Sequence, residues 1–291
     1  MALLDGLRAV VTGSSRGLGR AFACGLAANG ASVVVNGTNP EPLAETERRI
    51  REAGGEVTPY VGSVAEMAHC EALIGTCIEA YGGVDLLVNN AGIVRDRTLL
   101  KMSEEEFDDV IAVNLRGAWA CSKFAGLQMR EQGKGHIVHI ISASGLSGGV
   151  GQGNYAAAKA GMMGLLRTAI LELTRYGIRT NALWPVAETD MTQVVFERAR
   201  KFAEANDQPV PTPRQMGFGK PDEIAQALVW LASEKAERFN GQCFSCNGTK
   251  IAHWTHPREV AIGLQDEPWT VEEIDSHFAD VEPQEVYRPR G

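Results

Sequence analysis

Long hydrophobic runs are missing from this chain: no uninterrupted apolar stretch approaches the roughly 20 residues that a helix needs to span a bilayer. The opening stretch MALLDGLRAV carries an acid at Asp5 where a secretory signal would be basic, and the expectation is a cytoplasmic protein. A basic surplus is missing as well. Lys and Arg number 28 against 36 Asp and Glu, a net charge of −8, which excludes the electrostatic footprint of a nucleic-acid binder. From Thr255 onward nine acidic residues face three basic ones, so most of the excess sits in the tail and the body is close to neutral. Cysteine is sparse and scattered. Cys24, Cys70, Cys77, Cys121, Cys243 and Cys246 form no disulfide framework over 291 residues and suit a reducing compartment as small core residues.

What the chain does contain is a regular alternation of short β-branched runs and longer helical stretches. RAVVT (8–12), SVVVN (32–36), EVTPYV (56–61), DLLVN (85–89), HIVHIIS (136–142), IRTNALW (178–184) and GQCFS (241–245) read as seven strands. Between them, apolar residues recur at helical spacing. Ser103 and Glu106 form a capping box, Pro221 stands at a first helical position, and Thr270 with Glu273 caps a short helix near the end. Such alternation implies an α/β fold with a parallel sheet covered on both faces, and the continuously apolar strands agree. The expected division is a domain over 1–250 and a C-terminal extension over 251–291. Residues 187–219, long, polar and Pro-rich near their end, read as a lid over a site.

Glycines then mark a site. In VVTGSSRGLGR, Gly13, Gly17 and Gly19 follow the first strand and open a helix, where they permit a tight turn and close approach of a pyrophosphate to helix N-terminal amides. Tyr155 and Lys159 lie four apart in GQGNYAAAKAG, on one face of a helix among small residues. The TGxxxGxG spacing, NNAG (89–92), Asn114, Ser142 and Tyr155-x-x-x-Lys159, in that order, resemble the short-chain dehydrogenase/reductase family over about residues 5–250. The resemblance implies a single doubly wound Rossmann-type domain with a seven-stranded parallel sheet. It also implies hydride exchange between a secondary alcohol or ketone and a nicotinamide dinucleotide, a small-molecule substrate, no metal, and a homodimer or homotetramer. Residue by residue it implies Asn114, Ser142, Tyr155 and Lys159 as catalytic. For the cofactor it implies Gly13, Ser15, Arg16, Gly17, Leu18, Gly19, Gly37, Thr38, Ser63, Val64, Asn90, Ala91, Gly92, Pro185, Val186 and Thr189, with Tyr155 and Lys159. In that family the lysine also holds the nicotinamide ribose, and the asparagine anchors a water.

Elementary chemistry supports the pair: a cation near a phenol favours its anion, so Lys159 is expected to lower the pKa of Tyr155. Ser142 is chosen over Ser144 because its 13-residue interval to Tyr155 fits the family. After the second strand the chain reads Asn36, Gly37, Thr38 with no acid for a ribose 2′-hydroxyl, while Arg16 lies in the glycine loop; the lean is to NADP(H) over NAD(H). Two departures stand out. Ser63 replaces an acid often found near the adenine, and Val186 follows Pro185 where relatives have glycine. Cys243, Cys246, His253 and His256 lack a usual zinc spacing, and His136 and His139 read as strand-end and core residues. Residues from about 221 to the acidic end loosely resemble the (3R)-hydroxyacyl-CoA dehydrogenase units of peroxisomal multifunctional enzymes. That second resemblance implies a 3-hydroxyacyl or 3-oxoacyl thioester, with carrier-protein thioesters, steroids or other secondary alcohols as alternatives, and a non-catalytic dinucleotide sensor outside the class.

Overall fold

The computed structural model describes residues 2–257, 262 and 268–282. Strands β1 (Arg8–Val11), β2 (Ser32–Gly37), β3 (Val57–Val61), β4 (Leu86–Asn89), β5 (Gly135–Ile140), β6 (Ile178–Pro185) and β7 (Cys243–Cys246) match the seven expected runs to within two residues. An eighth strand, β8 (Ile251–Trp254), pairs antiparallel with β7 and corrects the seven-stranded expectation. It went unread because IAHW is short, half-buried, and joined to β7 by a tight turn in which Gly248 has φ 89°. Trp254 packs 4.8 Å from Trp184 and its Nε1 donates to Ser245 Oγ at 2.9 Å, so the start of the expected extension seals the sheet edge.

The sheet order β3-β2-β1-β4-β5-β6-β7-β8 reverses direction of winding between β1 and β4. The crevice at the C-terminal ends of these strands is where doubly wound folds bind ligands. Strand residues alternate between two cores: Ala9, Val11, Val33, Val35, Leu86 and Val88 face one side, Val10, Val34 and Leu87 the other. Both faces are therefore apolar, which is why the strand sequences show no polar side.

The first face is covered by α1 (Gly17–Ala28) and α2 (Pro40–Glu52), and the second by α3 (Met67–Tyr81). The chain continues through α4 (Glu104–Ile111), opened by the Ser103–Glu106 capping box, and α5 (Gly117–Gln132). A short α6 (Ser144–Ser147) precedes α7 (Gly153–Leu173), 21 residues long, which buries Ala158, Lys159, Met162, Met163 and Leu166. The 187–219 segment holds its own helix, α8 (Gln193–Ala205), whose apolar residues Val194, Val195 and Phe202 remain exposed. Helix α9 (Pro221–Ala232) returns to the first face with Pro221 at its start, and α10 (Val271–Phe278) carries the Thr270–Glu273 cap.

Five cysteines are buried, as expected of small core residues, and Cys24 is intermediate. Cys243 and Cys246 point into opposite cores, His253 stacks on Phe244 at 5.0 Å, and His256 bonds Gly241 O. Among the described residues no group of three or more such side chains could hold a metal, and no helix is long and apolar enough to cross a membrane.

Candidate active site

The glycine loop follows β1. Gly13 has φ +63°, and a Cβ there would lie 2.7 Å from Ala91 Cα; at Gly19 it would collide with Gly13 O. Side chains are therefore excluded from the bend by its own packing. Asn36, at the end of β2, uses its buried amide to accept from Gly13 N at 3.2 Å and donate to Gly62 O at 3.0 Å, joining three strand ends. Arg20 donates from Nε to Thr46 Oγ1 at 2.9 Å and from Nη2 to Ser15 O, bracing the loop from outside.

Helix α1 has no side-chain N-cap hydrogen bond and no acid in its first turn. Its first N–H groups are thus free to bind an anion, with the helix dipole favouring negative charge. A pyrophosphate fits this cradle of glycine backbone and uncapped amides. Leu18 packs against the neighbouring core, Thr38 is exposed beside buried Gly37, and Arg16 lies 3.6 Å from Asp190 with both side chains largely in solvent.

Across the crevice, the buried Thr12 hydroxyl accepts from Asn90 N at 3.0 Å and Ala91 N at 2.9 Å, fixing the NNAG turn. Asn90 Nδ2 returns to Thr12 O and Gly13 O. Ser63 receives Ala65 N at 3.3 Å, and Val64 is buried against Gly117, where a Cβ would meet Val64 O at 2.7 Å. Gly92 lies against Asn114: a Cβ on Gly92 would be 3.5 Å from Asn114 Oδ1.

Asn114 itself is fully buried, in a π-helical stretch (Ala112–Arg116) between α4 and α5. Such bulges recur at functional sites, because the extra residue re-aims side chains. Here the amide clasps Ile93 from both sides, accepting its N–H at 2.8 Å and donating to its carbonyl at 3.0 Å.

At the end of β5, Ser142 and Tyr155 are neighbours. Burial pushes the phenol pKa up to about 12; the Ser142 hydroxyl opposes the shift and the Asp96 carboxylate adds to it. Ser144, the competing serine, is engaged elsewhere, donating to Gln152 Oε1 at 2.6 Å. Lys159 is buried, donates to Ile140 O at 2.7 Å, and burial lowers its pKa to about 8. Its Nζ stands 5.6 Å from the Tyr155 ring centroid. The expected lowering of the phenol pKa by Lys159 is not what the structure gives: desolvation raises it, and the Lys159 ammonium is turned to a backbone carbonyl. At neutral pH the pair is a protonated phenol beside an ammonium. The phenol therefore carries the proton that a reduced substrate oxygen would need.

His139 lies beneath Lys159; burial and the nearby lysine lower its pKa to about 4, so it is neutral. Its Nδ1 is 3.3 Å from Asn89 Nδ2. His136, lowered to about 3 by burial, bonds Asn181 Oδ1 at 2.9 Å, which is a core role.

Val186 does not break its loop. Its N–H continues the ladder to Cys246 O at 2.9 Å, its carbonyl accepts from Gly219 N at 3.0 Å, and its side chain packs with the Trp184 core. Its φ is not positive, so glycine is not required there. Thr189 caps the following turn through Thr192 and approaches Gly17, where a Cβ would be 3.7 Å from Thr189 Cγ2. Three residues with structural roles escaped the sequence reading: Thr12, Asn36 and Asn154. Thr12 adjoins Gly13 and Asn154 adjoins Tyr155, so both were within sight of a motif.

A glycine cradle at the switch point, facing a Tyr-Lys pair with a serine beside the phenol, defines a dinucleotide-dependent oxidoreductase. The model of the short chain dehydrogenase family matches residues 8–200, and the chain belongs to that family. It is an NAD(P)-dependent oxidoreductase acting on CH–OH donors. It is 37% identical over 246 residues to a 3-oxoacyl-(acyl-carrier-protein) reductase of Thermotoga maritima, covering 84% of this chain and 98% of the relative. It is 35% identical to a hydroxyacyl-CoA dehydrogenase of Mycobacterium tuberculosis, covering 98% of this chain and 92% of the relative. The crystal structure of a short chain dehydrogenase from Mycobacterium avium superposes with a TM-score of 0.79 at 33% identity, covering 98% of this chain and 99% of that one.

Proposed function

We propose that the protein interconverts a 3-hydroxyacyl and a 3-oxoacyl thioester of coenzyme A. The observation that carries this reading is the reach of the similarity. The hydroxyacyl-CoA dehydrogenase aligns with 98% of the chain, the carrier-protein reductase of Thermotoga with 84%. The acidic C-terminal part, with nine acids against three bases from Thr255, also makes a poor dock for an acidic carrier protein.

A nicotinamide dinucleotide held by the glycine loop would supply or accept the hydride. In reduction, Tyr155 gives its phenolic proton to the substrate oxygen as the carbonyl carbon takes the hydride, and Ser142 donates a hydrogen bond to the same oxygen. Lys159, whose three N–H groups meet Ile140 O and the Met162 sulfur, has a donor left for the ribose, and Asn114 anchors the water that reprotonates the lysine. Oxidation runs the same steps backward. The assignments of Asn114, Ser142, Tyr155 and Lys159, and of the glycine-loop, NNAG and 185–189 residues to the cofactor, belong to this proposal.

The deciding experiment compares kcat/KM for one 3-oxoacyl group carried on coenzyme A and on carrier protein, with a steroid alcohol alongside. The coenzyme A thioester should lead by about tenfold or more, a difference of ~1.4 kcal/mol in transition-state binding. A lead for the carrier-protein thioester or the steroid would reverse the assignment.

The preferred cofactor is NADP(H): no acid follows β2, and Arg16 stands in the loop. A side chain at Gly37 would collide with Ser15 Oγ, so the exposed Thr38 is the place to test this. Thr38→Asp should move the ratio of kcat/KM for NAD over NADP upward by about tenfold or more, through repulsion of the 2′-phosphate. An unchanged ratio contradicts the preference. The protein acts as a homo-oligomer, through the outward face of α7 at Ala157, Ala160 and Gly164 and the α5 residues Trp119 and Leu127, which a single chain leaves exposed.

A further inference from the structure

We propose that Asn154 is a positioning residue for Tyr155: its buried amide ties the start of α7 to the 93–97 loop and so sets where the phenol stands relative to that loop's Asp96. The inference rests on Tyr155 being the proton-transfer group.

Asn154 is fully buried one residue before Tyr155. A primary amide offers two donors and an acceptor, and all are used on three different backbone segments. Nδ2 donates to Arg95 O at 3.0 Å and to Glu106 O at 2.8 Å, while Oδ1 accepts from Tyr155 N at 2.7 Å. That last N–H belongs to the first turn of α7, where backbone donors have no partner within the helix. Tyr155 is thereby fixed at its backbone to the loop and to α4.

The loop is pinned on both sides of Asp96. Asn114 clasps Ile93, Asn154 holds Arg95, and Arg97 N donates to Gly151 O at 2.8 Å beside the start of α7. Asp96 Oδ1 receives Gln152 Nε2 at 3.4 Å. The flanking cations look elsewhere, Arg95 toward Asp109 at 3.6 Å and Arg97 toward Glu106 at 2.8 Å. Among the described residues no cation pairs with Asp96. The other groups facing the phenol are the Ser142 hydroxyl from the end of β5 and Lys159 from α7, with neutral His139 under the lysine. A nearby anion disfavours a phenolate, so the exposed Asp96 adds to the burial that keeps Tyr155 protonated.

The test is the pH dependence of kcat for alcohol oxidation, which needs the phenolate and rises with pH as Tyr155 ionises. Asp96→Asn should move the rise to lower pH. Asn154→Ala should move it the same way and lower kcat about tenfold, with cofactor KM within about twofold, because misplacement of a reacting group costs rate rather than cofactor binding. The double variant should show no further pH shift than either single one, since both act through one contact. Asn154→Ser, which keeps an acceptor for the Tyr155 N–H but has a single shorter donor in place of the two amide N–H groups, should reproduce the shift if the alanine variant fails to fold. An Asn154 variant that melts lower yet keeps the wild-type kcat and pH profile overturns the proposal, as does an unmoved profile in Asp96→Asn. Tyr155→Phe in the same assay separates the two layers: turnover retained there defeats the reading of Tyr155 itself.

Discussion

Tyr155→Phe should lower kcat about 10³-fold, ~4 kcal/mol, while cofactor affinity stays within about twofold. The substitution removes one hydroxyl and keeps the ring, so α7 keeps its packing, and Asn154 still receives the backbone N–H. What disappears is the proton that must reach the substrate oxygen, and with it the partner of the Ser142 hydroxyl. The size follows from positioned general acid–base catalysis, which contributes roughly 10²- to 10⁴-fold. Because burial holds the phenol pKa up at about 12, wild-type Tyr155 is fully protonated at neutral pH. Reduction of a ketone should therefore proceed without loss up to alkaline pH, and oxidation should gain as pH rises. Steady-state rates in both directions, with cofactor binding titrated separately, check all of this. A variant that keeps most of its turnover would remove Tyr155 from the chemistry.

Gly19→Ala should cost stability and cofactor affinity together. The added Cβ would collide with the Gly13 carbonyl and come 2.5 Å from Asn90 Nδ2, two groups that build the turn between β1 and α1 and the NNAG turn. Neither is the free end of a flexible side chain, since Asn90 Nδ2 also donates to Thr12 O. Relief requires the α1 N-terminus to move off the loop, which displaces the uncapped amides from the pyrophosphate position. Overpacking of this kind costs about 1–3 kcal/mol of stability, and the dissociation constant for the dinucleotide should rise about tenfold or more. Gly75→Ala, inside α3, is the contrast: a Cβ there meets nothing within 4 Å, so stability should not fall and cofactor binding should stay at the wild-type value. Thermal melts and cofactor titrations of the two variants measure the difference. Equal behaviour would mean that the Gly13–Gly19 contact is not what shapes the cradle.

The sheet was legible in the sequence because both of its faces are buried. Val10 and Val11 enter opposite cores, so the centre of RAVVT is apolar on both sides, and SVVVN and DLLVN repeat the pattern. The eighth strand was not legible for the converse reason: Ile251 and His253 are exposed on an edge, and half-exposed residues in a four-residue run carry no clear period. The helix α8 inside 187–219 shows a related limit, since its apolar residues Val194 and Phe202 face solvent in the single chain and its neighbours are polar.

At the site, residue types with special backbone needs were readable at once. Gly13 and Gly17 adopt positive φ, which a sequence pattern can announce. Tyr155 and Lys159 were readable through helical spacing. What could not be read is the environment that sets their charge: the Tyr155 shift depends on burial first and then on groups as distant in sequence as Asp96, 59 residues before it. The roles of Asn36 and Asn154 were hidden for the same reason. Each bonds to backbone atoms of remote segments, and backbone partners leave no trace in side-chain identity. The departure from glycine at Val186 could not be interpreted from sequence, because what decides it is again backbone: its N–H and C=O extend the ladder between Cys246 and Gly219.

The most direct measurement is consumption of reduced nicotinamide dinucleotide by the purified protein when a 3-oxoacyl-coenzyme A thioester is added. The expected result is one 3-hydroxyacyl thioester formed for each dinucleotide oxidised, abolished to background by Tyr155→Phe. A protein that binds the dinucleotide tightly yet turns over no thioester, ketone or secondary alcohol would contradict the account.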